Sequence, residues 1–384
     1  MIKSFFLQKK LSVLFLCGWY PSRVLPTNGD FIERHAKAVS KLHDVTVIHI
    51  ITDPLLTKKE EIIINKEQNV TTYIAYIEAK SNGLSKAISF FKIFKKIYAK
   101  IDTVDIIHLN EVYPFGIFSL YLKWILKKPY IISEHWTGYH KPQSEEISWL
   151  QQKISNIITK NASFVCPVSD DLEKAMKSIP LQGNYKKVPN VVDTNLFYPI
   201  EKKEKEFNIV HISNMIDAHK NVKGILEVIA KLQSKNIDFT FKLIGDNSIQ
   251  YQNFANEVGI NTNKITFIDQ IPHNEVAKHL QNTDLFLLFS NYENLPCVIL
   301  EAFSCGVPVI STNVGGISEY FPNDFGVLIS KNNQEVLLQE ILNLYHKKHT
   351  NDNKNSMYEY VKSNFSEITI AELFTDLYVK ALKK

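Results

Sequence analysis

After Asp284, the run Leu285-Phe286-Leu287-Leu288-Phe289 leads into Ser290-Asn291-Tyr292-Glu293-Asn294-Leu295-Pro296. Then comes Cys297-Val298-Ile299-Leu300-Glu301-Ala302-Phe303-Ser304-Cys305-Gly306-Val307-Pro308-Val309. The first run is apolar throughout, of strand length, and lacks the period-2 alternation of a half-exposed strand. A polar turn follows it. A helix starts near Pro296, which suits a first helical position because its missing N–H is not needed there. Glu293 then lies in the turn at the strand's carboxyl end, and Glu301 lies inside the helix. On either side of Pro296, the backbone amides around Asn294, Leu295, Cys297 and Val298 surround a helix start, where an anion is favoured. An acidic residue next to such a site holds sugar hydroxyls rather than phosphate. Taken alone, the two glutamates also fit a helix cap and a surface charge.

The same strand–turn–helix rhythm extends in both directions. Strand-like runs are Leu11–Cys17, Val45–Ile51, Val104–Leu109, Tyr130–Ser133 and Ser163–Pro167, then Asn208–Ile212, Thr240–Ile244, Ile265–Ile268 and Val307–Ser311. Helical patterns lie between them, among them Phe31–Leu42, Phe115–Leu126, Ile147–Lys160, Val222–Leu232 and Asn274–Gln281. Such alternation predicts α/β domains with parallel sheets covered by helices on both faces. It pauses between Pro189 and Lys205, a proline-marked stretch ending in Glu201-Lys202-Lys203-Glu204-Lys205, which reads as a linker. The expected domains are residues 1–192 and 193–365, with a helix over 366–384. Ligands of such sheets bind beyond the carboxyl ends of the strands. Two such halves facing each other would enclose a cleft.

Composition narrows the function classes. The chain has 384 residues, 45% hydrophobic and 22% charged, which excludes a disordered tail, a collagen-like fibre and a small disulfide scaffold. Cys17, Cys166, Cys297 and Cys305 form no CxxC pair, so reduced thiols are expected rather than zinc ligands. Leu11–Cys17 follows Lys9-Lys10 but is far short of the ~20 residues that span a bilayer, and no small-residue cleavage site comes after it. It reads as a buried strand. The net charge of +4 is uneven: residues 1–190 hold 26 basic against 17 acidic side chains, and residues 191–384 hold 18 against 23. A basic first half suits an anionic surface or substrate, and equally a solvated lysine face. The modest excess, with no reader motif, gives no ground for nucleic-acid binding. Within Ser85–Ile101, aromatic and aliphatic residues interleave with five lysines. Such a helix either lies on an anionic membrane or buries its aromatic side in the domain core.

The block Glu-x7-Glu, continued by Ala302-Phe303-Ser304-Cys305-Gly306-Val307-Pro308-Val309-Ile310 and Asn313-Val314-Gly315-Gly316-Ile317-Ser318-Glu319, resembles the signature of family-4 retaining glycosyltransferases. These are two-domain enzymes of GT-B architecture, and the resemblance extends over essentially the whole chain. It implies a nucleotide-diphosphate sugar as donor substrate, no cofactor, and a glycan or lipid-linked glycan as acceptor. His211–Leu226 resembles the family segment that carries an arginine and then a lysine on the donor diphosphate. Lys220 matches the lysine, with Lys223 as a competitor. Asn214 stands where the family has arginine, and an asparagine cannot form a bidentate charged clamp. Gly245, which ends a strand-like run, belongs to the same implied donor set.

In the first half, Gly18-Trp19-Tyr20-Pro21-Ser22 and Asn28-Gly29-Asp30-Phe31 resemble the family's glycine-bearing loop and following helix, with Gly29 near the donor phosphate. Tyr130–Gly138 resembles the strand that ends in the family's active-site histidine, here His135. Asn110 occupies the place of a second histidine and is given no catalytic role. Val188–Asp193 with Phe197 resembles the interdomain linker, and the last helix, about Glu367 to Lys384, should return to the first domain. Asp171-Leu172-Glu173 reads as the acidic first turn of a helix capped by Ser169 rather than as a metal motif.

The implied assignment gives His135 and Glu293 catalytic roles, His135 either hydrogen-bonding the donor sugar or steadying the developing charge, and makes residues 1–192 the acceptor side and 193–365 the nucleotide-sugar side. It places Glu301 on the ribose, Lys220 on the diphosphate and no metal in the site. The corresponding location is the cytoplasm, either free or at the inner face of the cell membrane. A non-catalytic sugar-nucleotide-binding partner remains open, as does a sugar-nucleotide epimerase or a phosphorylase-like enzyme on the same architecture.

Overall fold

The computed structural model describes residues 9–79, 83–201, 206–347 and 353–383. The chain forms two compact units, one of residues Met1–Val191 with Glu367–Lys384 and one of Val192–Ser366. Lys202–Lys205 of the charged linker stretch lie outside the described residues.

In the first unit the elements are β1 (Ser12–Cys17), α1 (Asp30–Val39), β2 (Asp44–Asp53), β3 (Glu60–Glu67), β4 (Val70–Glu78), α2 (Gly83–Tyr98), β5 (Ile106–Asn110), α3 (Gly116–Leu126), β6 (Tyr130–Glu134), α4 (Trp149–Asn161), β7 (Phe164–Pro167) and α5 (Asp170–Ser178). They build a seven-stranded sheet of order β3-β4-β2-β1-β5-β6-β7, parallel except for the β3–β4 pair. Strands β5, β6 and β7 are buried along their whole length, which explains their unalternating sequences. The chain reverses direction of travel across the sheet at β1, between β2 and β5. That is the switch point beside which such sheets bind ligands.

In the second unit they are β8 (Phe207–Ser213), α6 (Asp217–Lys220), α7 (Val222–Leu232), β9 (Phe239–Gly245), α8 (Gln252–Glu257), β10 (Ile265–Ile268), α9 (His273–Gln281), β11 (Leu285–Leu288), α10 (Cys297–Ser304), β12 (Val309–Thr312), β13 (Gly326–Ile329), α11 (Gln334–Lys347) and α12 (Lys354–Phe365). The sheet is parallel throughout, in the order β10-β9-β8-β11-β12-β13, and its switch point lies between β8 and β11.

The last helix, α13 (Glu367–Leu382), belongs to the first unit and packs on α1. It buries Ile370, Phe374, Leu377, Tyr378 and Ala381, at about 1.5–3 kcal/mol for each large apolar side chain. Two polar contacts fix its register. The Tyr378 hydroxyl lies 2.6 Å from His108 Nδ1, and Thr375 Oγ1 lies 2.8 Å from His43 Nε2.

Three local readings need correction. Strands β3 and β4 add to the expected set; β3, Glu60-Glu61-Ile62-Ile63-Ile64-Asn65-Lys66-Glu67, carries charges at both ends and is mostly exposed at the sheet edge. Such edges are polar by necessity. Strand β13 was also not expected; it is a short outer strand of four residues. Pro296 is not the first helical residue. It is extended (φ −69°, ψ 119°) and its carbonyl accepts the Ile299 N–H at 3.3 Å, so it precedes the helix that Cys297 begins.

Helix α2 turns Ile93, Phe94 and Ile97 into the core, and Phe94 stacks on Phe118 of α3 at 4.4 Å between ring centroids. Much of its aromatic side is therefore used internally, while Leu84 and Ile88 remain exposed. Among the described residues no helix is long and apolar enough to cross a membrane. Asp171 and Glu173 lie in the first turn of α5, where the Ser169 side chain accepts the Leu172 N–H at 3.0 Å.

Candidate active site

The turn after β11 is assembled from three directions. Glu293, buried, receives Lys220 Nζ at 2.5 Å and the Ser290 hydroxyl at 2.7 Å, both on Oε1. Its Oε2 has no hydrogen-bond partner among the described residues, so that oxygen is open to a ligand hydroxyl. Lys220 sits at the end of the short helix α6, and Asn291 ties the two segments together. The Asn291 backbone N–H donates to the His219 carbonyl at 2.7 Å, and its side-chain amide donates to the Ala218 carbonyl at 3.1 Å. The third support is Gly315. It has φ +59°, and a Cβ there would stand 1.8 Å from the Glu293 carbonyl oxygen. Glycine is required both by that φ and by the contact. The next residue, Gly316, donates its N–H to the Asn294 carbonyl at 2.8 Å.

Lys220 rather than Lys223 reaches Glu293. Lys223 Nζ instead lies 5.3 Å from the centre of the Phe254 ring. Asn214 is exposed, and its side-chain oxygen accepts the Ile216 N–H at 3.3 Å, closing a local turn. Gly245 pairs with Ser213 in the sheet, and a Cβ on it would stand 1.8 Å from the Ser213 carbonyl oxygen. The close approach of β8 and β9 at their carboxyl ends thus demands glycine there.

Cys297 and Val298 open α10, and Leu295 and Asn294 before it are buried. Glu301, one turn on, is almost fully buried and meets His273 Nε2 at 2.9 Å. His273 begins α9, and its ring packs against Phe197 at 4.7 Å. Beneath the turn, buried His211 donates from Nδ1 to the Leu287 carbonyl at 2.8 Å, with Ser213 Oγ at 2.8 Å on the other nitrogen. Burial lowers its pKa to about 4, so this imidazole is neutral and serves as a strut between β8 and β11.

In the first unit, His135 follows β6 directly. Its ring contacts Phe31 at 4.5 Å and His35 at 5.2 Å between centroids. Burial, followed by the neighbouring His35 and His108, holds its pKa well below the ordinary value. A neutral ring exchanges hydrogen bonds and carries no positive charge. Glu134 fixes the segment, accepting the N–H groups of Val112, His135 and Trp136 at 2.8–2.9 Å and the Tyr139 hydroxyl at 3.0 Å.

Gly29 has φ +78° and lies against the Trp19–Tyr20 backbone, where a Cβ would come within 2.6 Å. The first amides of α1 are already engaged. Phe31 N–H donates to Asp30 Oδ1, and the N–H groups of Ile32 and Glu33 donate to the Gly29 carbonyl. The glycine is thus demanded by the fold, and these helix-start donors are not free for a phosphate.

With this geometry in place, the likeness to known proteins is specific. Residues 194–364 match the model of glycosyl transferases group 1, and residues 30–196 match that of glycosyltransferase family 4. The chain is a family-4 glycosyltransferase. It is similar to an uncharacterized glycosyltransferase of Methanocaldococcus jannaschii, 27% identical over 332 residues covering 84% of this chain and 87% of that protein. A candidate teichuronic acid biosynthesis glycosyltransferase of Bacillus subtilis is 23% identical over 367 residues, 88% of this chain and 90% of its own. Among solved structures, Anabaena HepE in complex with UDP-glucose has a TM-score of 0.68 at 17% identity, over 95% of this chain and 98% of that one. That likeness concerns the fold, which is GT-B.

The glycosyltransferase reading of the sequence did not include Ser290 or His273. Ser290 belongs to the turn before Glu293 and was legible only as a turn residue. His273 is a lone histidine at a helix start, 28 residues from Glu301.

The Lys220–Glu293 pair gives a stability test for the glycosyltransferase. The two side chains are only 15% and 8% exposed. Lys220→Ala strands a buried carboxylate and should cost about 3–5 kcal/mol. Adding Glu293→Gln should return most of that loss, as read from urea unfolding midpoints. Equal stability of the single and double variants would contradict the pairing.

Proposed function

We propose that this glycosyltransferase moves a sugar, with retention of configuration, from a nucleotide-diphosphate donor to a hydroxyl of a glycan or lipid-linked glycan. Cell-surface polysaccharide or glycolipid synthesis is the corresponding process. The observation that carries the reading is the meeting of Lys220 with Glu293 at the carboxyl edge of a parallel sheet, with Glu301 on the helix that follows. The UDP-glucose held by HepE, a protein of the same fold, supports the donor class.

In this reading Lys220 lies on the donor diphosphate and the start of α10, residues Asn294–Val298, lies on the sugar. Glu293 offers Oε2 to a sugar hydroxyl. Glu301, oriented by His273, takes the ribose hydroxyls. His135, neutral, gives a hydrogen bond to the donor sugar. Gly29 keeps the loop that carries Trp19 close to the start of α1, and Gly245 keeps the edge of β9 low beside the ligand. Asn214 contributes a hydrogen bond in place of a charged clamp.

As the bond from the anomeric carbon to the diphosphate breaks, negative charge builds on the leaving phosphate. Lys220 stabilises that charge, and removal of one such preorganised group costs about 10²–10³ in turnover. The acceptor oxygen forms the new bond on the face the phosphate leaves, and its proton passes to the leaving phosphate. The positive charge comes from Lys220 and backbone amides, so the reading calls for no cofactor or metal.

Titration and hydrolysis of UDP-, GDP-, ADP- and CMP-sugars test this. One diphosphate series should bind and be hydrolysed slowly, undiminished by excess chelator. Binding without turnover, even with acceptor glycans, would instead support a non-catalytic sugar-nucleotide-binding partner. Absence of any binding would overturn the donor assignment, and loss of activity in chelator would overturn the metal-free step.

Peripheral contact with an anionic membrane at the inner face of the cell membrane belongs to the same proposal. The basic residues of α2 support it, beside exposed Leu84 and Ile88. Cosedimentation with anionic vesicles should fall when Lys86, Lys92, Lys95 and Lys96 become glutamine. Unchanged cosedimentation would reject the contact.

A further inference from the structure

Strand β3 is the outermost strand of the first unit's sheet and pairs with β4 alone, antiparallel, with Glu60 opposite Ile77. Its other side is a sheet edge without a partner strand among the described residues. The ladder shows which residues face that edge. The Glu78 N–H donates to the Lys59 carbonyl at 3.4 Å, so Lys59 turns its backbone polar groups toward β4. Direction alternates along an antiparallel strand. Glu61, Ile63 and Asn65 therefore also turn theirs to β4, while Glu60, Ile62, Ile64 and Lys66 turn theirs outward. Such an edge is a template for another strand.

The middle of this edge is Ile62-Ile63-Ile64, with Ile63 43% and Ile64 52% exposed. Proteins blunt edges with proline, bulges or inward charges. The run has no proline, and its register with β4 is continuous from Glu60 to Glu67. Charges stand only at its two ends.

Those ends select the occupant. Two copies of one strand that pair antiparallel are related by a two-fold axis normal to the sheet, and side chains set opposite each other share a face. With the axis at Ile63, Glu60 stands opposite Lys66 of the partner subunit, and Lys66 opposite the partner's Glu60. Ile62 meets the partner's Ile64, and Ile63 meets its own counterpart. The outward-turned pairs, Glu60 with Lys66 and Ile62 with Ile64, then exchange backbone hydrogen bonds. Ile63 falls in the close, non-hydrogen-bonded position where side chains touch most.

Neighbouring registers are worse. An axis at Ile64 sets Glu61 against Glu67, and one at Ile62 sets Lys58 against Lys66. An axis at Glu61 sets that residue on itself, and one at Asn65 sets Lys66 against Ile64. The remaining charges agree with the axis at Ile63. Arg23 Nη1 lies 2.5 Å from Glu61, which needs no further cation opposite Asn65. Lys96 lies 2.5 Å from Glu60 Oε1, and a carboxylate has a second oxygen for the partner's Lys66. Lys66 makes no ion pair among the described residues. The strand complements itself, which favours a second copy over an unrelated peptide.

We propose that this glycosyltransferase forms a two-fold dimer by antiparallel pairing of β3 with β3 of a second copy, centred on Ile63. Pairing consumes the edge of both copies, so the assembly closes at two. A strand pair is a small interface, so association is reversible and depends on concentration.

Sedimentation velocity of the full chain between about 1 µM and about 0.2 mM reaches weak specific complexes. The average mass should rise from one chain toward two. Glu60→Lys and Lys66→Glu each set like charges opposite one another at both ends, and each alone should weaken dimerisation by about tenfold or more. An equimolar mixture of the two variants should recover it, because each offers the charge that the other lacks. That recovery would also show both variants to be folded. A chain that stays monomeric throughout, as it would if the edge served a peptide of another protein, overturns the proposal. So does dimerisation indifferent to both single variants, or a mixture no more associated than its components.

Discussion

The carbonyl of Glu293 packs against the backbone of Gly315 so closely that no other residue fits at 315. That contact joins the turn after β11 to the turn after β12, neighbouring strands of one sheet. From it follows the direction of the Glu293 side chain, which meets Lys220 from the turn after β8. Three loops at one sheet edge thus hold a single carboxylate, with one oxygen occupied and one open. The arrangement is rigid where it must be, because a 1 Å displacement of a positioned group is costly in catalysis.

Much of this was legible in the chain. The apolar run 285–289, the turn and the helix after it were readable from pattern alone, and Lys220 could be preferred to Lys223 by spacing. What spacing could not show is that Lys220 and Glu293 pair across 73 residues. Nor could it show His273 on Glu301, because a lone histidine at a helix start carries no periodic signal. Pro296 shifted by one position because its fixed φ serves the residue before a helix as well as the first residue within it. Strand β3 escaped because an exposed edge strand needs charges that resemble a loop.

Both units bury histidines within their sheets. His108 and His211 are buried struts, one bound to Tyr378 and Ser133 and the other spanning β8 and β11. His135 is buried as well, and its neutral state limits it to hydrogen bonding. Charge in the candidate site therefore resides on Lys220, Glu293 and Glu301, all in the second unit.

The central claim is that Lys220 is the cation for a diphosphate. It is tested most directly by calorimetric titration of wild type and Lys220→Gln with a nucleoside diphosphate and with the parent nucleoside. The account predicts that the variant loses diphosphate affinity by about tenfold or more while nucleoside affinity is unchanged. Equal loss for both ligands, or no loss for either, would contradict it.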